Sequence, residues 1–334
     1  MNTHMKPLIV LSLFDGMSCG RIALERAGIP VKAYYASEVD KHSIKVSKSN
    51  WNDVVQIGDV TKVSYKNGVL HTENGDFNVG EIDLVIGGSP CQSFSNLGDG
   101  TGFDGKSGLF YEFLRVLREI NPKSFLLENV KMKTQWKNLI TEEMQVQPVD
   151  INSNLLSAQN RQRTYWTNLV TEAPDNKGEV ISDIISKDVP EKYFLSDKAK
   201  KYIVSKDRLV KSLTNINGKN DKSIALCARY TGLNGTFLLV DCNGKLDHEK
   251  SGTLTARYGK GVSSFGGDTF VLDNDDLNEQ LIRRFTPEEC ERLQTVPVGY
   301  TNSVSDSQRY KMLGNGWTVD VIVHILKGIF SEPN

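Results

Sequence analysis

The stretch LIVLSLFDGMSCGRIALERAG, residues 8–28, decides the fold. It begins with an almost unbroken apolar run from Leu8 to Phe14, which is typical of a strand buried on both faces of a parallel sheet. A glycine-containing turn follows, and residues 21–27 then have a helical pattern that ends at Gly28 and Pro30. A strand, a turn and a helix in this order indicate an α/β protein.

The segment that follows repeats this alternation. Further apolar runs predict strands at 31–37, 54–57, 82–86 and 124–127, and residues 110–120 predict a helix before the last of them. Strands that alternate with helices predict a mostly parallel, twisted sheet with helices on both faces, which is a Rossmann-like α/β fold.

A reactive or acidic side chain follows each predicted strand. These side chains are Asp15, Glu38, Asp59, Cys91 and Glu128. Because the carboxyl ends of parallel strands meet at one edge, we expect all five at one rim, where ligands bind in open α/β sheets. A single carboxylate there often only caps a helix, but five polar groups on one rim favour a functional site.

The rim has the features of a nucleoside site. The turn at 15–20 lacks GxGxxG spacing, and no GKS or GKT follows it, so the sequence predicts no cradle for a polyphosphate. Glu38 is placed to accept hydrogen bonds from ribose hydroxyls, and Asp59 to accept one from an adenine amino group. This pattern favours S-adenosylmethionine over ATP or NAD.

Cys91 lies in the loop IGGSPCQ, residues 86–92, where it could be a nucleophile, a metal ligand, a disulfide partner or none of these. The chain has 5 cysteines, none in CxxC spacing. An odd count without a secretory pattern at the N-terminus predicts reduced thiols in a cytoplasm, which argues against disulfides and a metal site.

The composition suits a soluble globular protein. Of the 334 residues, 39% are hydrophobic and 24% charged, and no apolar run reaches the roughly 18 residues of a membrane span, so we expect no membrane partner. The formal net charge is −1, so any nucleic-acid binding requires a local basic face.

An ordered series of motifs resembles the DNA cytosine-5 methyltransferase family. The motifs are LFDGMSCG at 13–20, SEVD at 37–40, GDV at 58–60, GGSPCQ at 87–92, LLENV at 126–130, QNRQR at 159–163, RRFTPEECERLQTVP at 283–297 and GNGWTVDVI at 314–322. The chain departs from many bacterial members at Ser18-Cys19 and at Gly316-Trp317. The resemblance implies a catalytic domain over 1–180 and 280–334, with the C-terminal segment returning to it.

The resemblance implies four catalytic residues, Cys91, Glu128, Arg161 and Arg163. Cys91 would attack carbon 6 of a cytosine flipped out of duplex DNA, and Glu128 would bind nitrogen 3 and the exocyclic amine. Arg161 and Arg163 are predicted to alternate on a strand and to face the same way. One would hold the base carbonyl and the other Glu128 or a phosphate.

The resemblance also implies S-adenosyl-L-methionine as cofactor, with S-adenosyl-L-homocysteine as product. The implied cofactor-binding residues come from the rim and from the C-terminal segment, and are Phe14, Asp15, Gly16, Gly20, Glu38, Val39, Asp59, Val60, Pro90, Leu109, Asn315, Gly316 and Trp317.

Double-stranded DNA is the expected partner. Residues 181–279 are polar with short β-type runs, which predicts a smaller, irregular, β-rich target-recognition domain. Arg229 and Arg257 stand in two similar pieces, CARYTG and TARYG, and are predicted to contact DNA together with Gln92 and Ser93. The lysine-rich stretch at 198–211 is either a solvated face or a phosphate contact.

Other interpretations stay open. The chemistry would serve equally on transfer RNA, although the recognition-sized middle region and the Pro-Cys-Gln loop disfavour this. An inactive DNA-binding relative should have lost a catalytic group, yet all four are present. The donated group need not be a plain methyl. A cytoplasmic monomer of bacterial or viral origin, with or without a cognate restriction nuclease, is the expected context.

Overall fold

In this computed structural model the described residues are 5–90, 108–196 and 282–331, together with the strands Leu238–Asp241 and Thr269–Leu272. The chain divides into two compact units. The first comprises residues 1–151, 162–174 and 316–334, and the second comprises residues 152–161 and 175–315. The second unit contains all of the segment 181–279, whose role in target recognition stays a prediction.

The strands of the first unit form a seven-stranded sheet and a three-stranded meander. They are β1 (Leu8–Leu13), β2 (Val31–Ser37), β3 (Val54–Gln56), β4 (Ser64–Lys66), β5 (Val69–Thr72), β6 (Gly75–Asn78), β7 (Leu84–Gly87), β8 (Ser124–Val130), β9 (Val149–Asn152) and β10 (Gln162–Thr167). The order in the large sheet is β3–β2–β1–β7–β8–β10–β9. Strands β3, β2, β1, β7 and β8 pair in parallel, whereas β10 is antiparallel to β8. The predicted mostly parallel α/β sheet is confirmed.

The helices within the described residues are short. They are α1 (Cys19–Arg26), α2 (Lys41–Asn50), α3 (Leu109–Ile120), α4 (Thr134–Met144), α5 (Ile181–Ile184), α6 (Pro287–Leu293), α7 (Asp306–Asn315) and α8 (Val319–Leu326). None of them is long and apolar enough to cross a membrane.

The main core of the first unit lies between the sheet and α3. Leu11 of β1, Val85 of β7 and Leu127 of β8 form one fully buried cluster with Phe110 and Phe113 of α3. Helix α8, which comes from the C-terminal segment, packs on α1 and is buried along most of its length. The first and last segments of the chain therefore share one unit.

Three differences between the predicted elements and the structure bear on the rim. The fifth predicted strand extends to Val130, so Glu128 lies within β8 and not just after it. The antiparallel meander β4–β5–β6 was not predicted. Arg161 precedes β10, which begins at Gln162, so the prediction that Arg161 and Arg163 alternate on one strand is wrong.

The second unit has a small sheet and a buried ion pair. Strands β11 (Leu238–Asp241) and β12 (Thr269–Leu272) are parallel, and β13 (Ile282–Arg283) is antiparallel to β12. The Arg283 guanidinium binds both carboxylate oxygens of Glu289 at 2.8 and 3.0 Å. Glu289 also accepts from the backbone N–H of Thr286, which closes a capping box at the start of α6.

Candidate active site

The parallel pairing of β3, β2, β1, β7 and β8 brings their carboxyl ends to one edge of the sheet. Asp15 and Glu38 follow β1 and β2, Asp59 follows β3 and Pro90 follows β7, while Glu128 lies near the end of β8. Cys91, the fifth predicted rim residue, lies outside the described residues.

The turn after β1 contains three residues in the left-handed backbone region. Their φ angles are 57° at Phe14, 61° at Gly16 and 66° at Ser18. This conformation is natural for glycine but costs the other two about 1 kcal/mol or more each. The Ser37 carbonyl and the Glu38 carboxylate compensate, since they accept the backbone N–H groups of Asp15 and Gly16 at 3.0 and 2.8 Å.

Asp15 lies beneath this turn. Its carboxylate accepts hydrogen bonds from the Tyr34 hydroxyl at 2.7 Å and the Ser18 hydroxyl at 2.5 Å. Burial raises the pKa of Asp15 from 3.8 to about 6, although these hydroxyls favour the charged form. The Asp15 side chain thus stabilises the conformation of the turn.

Glu38 holds three backbone N–H groups. Its Oε2 accepts from Gly16, and its Oε1 accepts from Val39 and Asp40 at 2.7 and 2.8 Å. A carboxylate has about four acceptor positions, and three of them are used by donors within the described residues. The neighbouring Val39 is 69% exposed, which leaves an apolar surface at the rim beside this carboxylate.

The turn at Asp59 is held by residues that sequence reasoning missed. The Asp59 carboxylate accepts from the backbone N–H of Thr61 at 2.9 Å, and its own N–H donates to Glu73 in the meander at 2.8 Å. The Arg115 guanidinium on α3 donates to the carbonyls of Val60 and Val63 at 3.3 and 2.8 Å. No sequence signal ties Glu73 or Arg115 to this turn, because both pairings are long-range.

Glu128 is bound through both carboxylate oxygens. The Arg163 Nε lies 3.0 Å from Oε1, and the Trp317 indole N–H donates to Oε2 at 3.1 Å. Arg163 reaches the carboxylate because β10 is antiparallel to β8, with Arg163 opposite Val130 and Tyr165 opposite Glu128. Both side chains of the ion pair are mostly buried, at 14% and 11% exposure for Arg163 and Glu128.

The loop before Cys91 is tied to β8. The Asn129 side chain donates to the Ser89 hydroxyl at 3.2 Å and to the Ser89 carbonyl at 3.4 Å. Gly88 leaves room for the site, since a Cβ added there would lie 2.9 Å from Trp317 Nε1 and 3.0 Å from Glu128 Oε2. Glycine is therefore required at position 88, because a side chain there would collide with Trp317 and Glu128.

The other predicted residues lie in several different parts of the chain. Arg161 belongs to the second unit, where its guanidinium donates to the Gly314 carbonyl at 3.2 Å. Gly20 is buried in α1, with Trp317 close to where its Cβ would be, and Leu109 begins α3. Asn315, at the end of α7, is exposed. Gln92, Ser93, Arg229 and Arg257, like the stretch 198–211, lie outside the described residues.

Comparison with known proteins shows the family of this chain. Residues 8–331 match the family model described as C-5 cytosine-specific DNA methylase. The chain is 31% identical to the type II methyltransferase M1.ScrFI of Lactococcus lactis subsp. cremoris, over 94% of this chain and 75% of that protein. It is 26% identical to the orphan methyltransferase M.SPRI of Bacillus phage SPR, over 97% of each.

A solved structure shares the fold. The crystal structure of a DNMT2 mutant from Spodoptera frugiperda has a TM-score of 0.64 at 18% identity, over 97% of this chain and 100% of that one. The family match spans nearly the whole sequence and confirms the resemblance carried by the motifs. The chain therefore belongs to the C-5 cytosine-specific DNA methylase family and is an S-adenosylmethionine-dependent DNA cytosine-5 methyltransferase.

Proposed function

We propose that this methyltransferase places its chemistry on Cys91, Glu128 and Arg163, with Arg161 as a further contact to the base or its phosphate. The observation that carries this proposal is the Glu128 carboxylate, mostly buried and held by Arg163 and Trp317 at the carboxyl-end rim. Pro90, the last described residue before Cys91, leaves the neighbouring strand β7 at the same rim.

The rim also fits the cofactor. Glu38 keeps an acceptor position for a ribose hydroxyl, and Val39 offers an exposed apolar surface to an adenine ring. We assign the remaining contacts to Phe14, Gly16, Gly20, Asp59, Val60, Pro90, Leu109, Asn315, Gly316 and Trp317, with Asp15 acting from beneath the turn. When bound, S-adenosylmethionine supplies the methyl group.

The reaction follows from these roles. The Cys91 thiolate forms a bond to carbon 6 of the flipped cytosine, and the displaced electron pair makes carbon 5 nucleophilic. Glu128 holds nitrogen 3 and the exocyclic amine while Arg163 fixes the carboxylate. Once carbon 5 carries the methyl group, water takes its proton, and the electron pair of that carbon–hydrogen bond restores the ring double bond. The carbon–sulfur bond breaks at the same time, which returns the Cys91 thiolate and leaves 5-methylcytosine in the DNA.

The nucleophile is tested with a trapped adduct. A duplex that carries 5-fluorocytosine at the target position cannot lose fluorine as a cation, so elimination should stop and leave the enzyme bound through Cys91. With cofactor, we expect a denaturation-resistant protein–DNA band for the wild type and none for Cys91→Ala, whose activity should fall at least about a thousandfold. Retained activity in Cys91→Ala would contradict the proposal. Transfer of the methyl group to transfer RNA and not to duplex DNA would also contradict it.

We assign target recognition to residues 181–279, with Arg229 and Arg257 as base or phosphate contacts and Gln92 and Ser93 at the flipped base. The size and polar composition of this segment support the assignment. Footprinting of a chain in which both arginines are replaced by alanine, against one with Lys32→Ala, distinguishes a role in DNA binding from a general loss of charge.

We further propose a cytoplasmic monomer, encoded by a bacterium or its virus, that acts alone or beside a restriction nuclease. The names of the relatives support both arrangements, since M1.ScrFI is a type II enzyme and M.SPRI an orphan. Sedimentation of the chain with and without duplex DNA would test the monomer directly.

A further inference from the structure

Trp317, which we assign to the cofactor site, also contacts the proposed catalytic residue Glu128. Its indole N–H points at Oε2 of Glu128, at 3.1 Å. Its ring lies where a side chain at Gly88 would collide, because an added Cβ atom would lie 2.9 Å from Nε1. The glycine just after β7 thus makes room for this indole.

The charged and polar groups around the carboxylate are few. Arg163 approaches Oε1 from β10, and Trp317 approaches Oε2 from the segment before α8. Among the described residues of the first unit, no other charged group is shown in contact with this carboxylate; Cys91 lies beyond the described part of the chain. Both neighbours are donors, and a donor stabilises the ionised form of a carboxylate.

Cytosine places a conflicting demand on this group. Nitrogen 3 of the base is an acceptor, so a bond between it and Glu128 requires one proton, which the pair takes up from water as the base enters. That proton can lie on Glu128 or on nitrogen 3. Addition of a thiolate to carbon 6 is easier when nitrogen 3 carries the proton, because the protonated ring accepts the displaced electron pair.

We propose that Trp317 is a positioning residue of the methyl transfer itself: its indole N–H donates to Oε2 of Glu128 and favours the arrangement in which the shared proton lies on nitrogen 3 of the cytosine. The carbon–sulfur bond then forms to an activated ring, and the proton returns to water when the bond breaks and the aromatic ring is restored. This inference rests on the proposed role of Glu128 and extends it to the residue that donates to its second oxygen.

The test compares Trp317→Phe with Trp166→Phe. Phenylalanine keeps a ring at 317 but removes the N–H. Trp166 is a matched control, because its N–H donates to the Thr141 hydroxyl at 3.0 Å in the same unit, away from Glu128 on the opposite face of β10. The cofactor dissociation constant, kcat and the pH profile of kcat are measured for each, on duplex DNA.

For Trp317→Phe we expect kcat to fall about tenfold, since one charge-assisted hydrogen bond is lost. The decline of kcat at high pH should move upward by roughly half to one pH unit, because the pair retains its proton more strongly. Cofactor affinity should change by less than about threefold, as the ring remains. Trp166→Phe should lower the melting temperature but keep the wild-type kcat and pH profile.

Two outcomes overturn the inference. A Trp317→Phe enzyme with wild-type kcat and pH profile, or one that loses only cofactor affinity, would make Trp317 a wall of the cofactor site and nothing more. Glu128→Gln separates the two levels of the proposal. If that variant is inactive while Trp317→Phe is normal, only the present inference fails; if it is fully active, the proposed role of Glu128 fails with it.

Discussion

Asp15 shows the effect of sealing a carboxyl group beneath a turn. Only 8% of the residue is exposed, and burial raises its pKa from 3.8 to about 6. In the unfolded chain the same group ionises near pH 4. Between these values the unfolded chain releases a proton that the folded chain keeps, so the contribution of Asp15 to stability is complete below about pH 4 and is lost as the pH rises through about 6.

Replacement of Asp15 by asparagine should remove this dependence. An amide can still accept from Tyr34 and can donate to Ser18, so the turn should persist. Above pH 6 we expect the variant to be more stable than the wild type by up to about 2–3 kcal/mol, and near pH 4 the difference should vanish. Urea unfolding at pH 4, 5, 6 and 7 gives both curves; parallel curves would contradict the proposed origin of the pKa shift.

At this scale the sequence predicts which groups lie at the rim but not what holds them. A carboxylate at the end of an apolar run, such as Glu38, can be recognised from the sequence alone. The pairing of Glu128 with Trp317 spans 189 positions along the chain and depends on the return of the C-terminal segment, so residue patterns carry no trace of it. The pairing of Glu73 with Asp59 spans 14 positions and likewise has no signal in the sequence.

Helix α3 acts on the rim through one side chain. Arg115 donates to the carbonyls of Val60 and Val63 and is flanked by Glu112 and Glu119, which bind its guanidinium at 2.8 Å each. Both carbonyls are bound by Nη2, while Nε and Nη1 donate to Glu112 and Glu119, so the planar guanidinium joins the turn to its own helix. The helix thereby fixes the turn that carries Asp59 and Val60.

Arg115→Met should therefore weaken cofactor binding more than catalysis. We expect the dissociation constant of S-adenosylmethionine to rise about tenfold, while kcat with saturating cofactor changes by less than about threefold. Arg118→Met is the control, because Arg118 lies on the same helix as Arg115 and its ion pair with Glu143 of α4 is largely solvent-exposed and contributes little. Isothermal titration of both variants decides; equal affinities would refute a positioning role for Arg115.

Elements were predictable where their apolar pattern is strong. Strand β1, helix α3 and the mostly parallel direction of the strands follow from buried runs such as Leu8 to Leu13. The meander β4–β5–β6 was missed because its strands have only three or four residues and are largely polar. The start of β10 was placed too early because Arg161 and Arg163 have the period of a strand, whereas Arg161 binds the Gly314 carbonyl before the strand begins.

On the scale of the whole molecule, the first unit is assembled from three separate segments. Its last segment, 316–334, contributes Trp317 and helix α8, whose Ile322 and Ile325 are fully buried. Helix α8 packs on α1, which directly follows the left-handed turn after β1. The unit therefore needs both ends of the chain for its core.

A chain that stops at Asn315 should lose the fold of the first unit. It would expose the apolar face of α1 and lack the N–H that binds Glu128. We expect strong binding of a hydrophobic dye, loss of near-ultraviolet circular dichroism and no cooperative unfolding. A truncated chain with native-like spectra and a cooperative transition would show that α8 is dispensable for the fold of this unit.

The left-handed turn after β1 also restricts how this sequence can change over evolutionary time. Phe14 and Ser18 keep an unfavourable backbone because Glu38 and Asp15 hold their neighbours in place. A substitution at one of the supporting carboxylates makes the strained residues harmful, and only a compensating glycine would restore the balance. Related chains should thus differ at these positions together and not one at a time, so that each lineage keeps its own matched set.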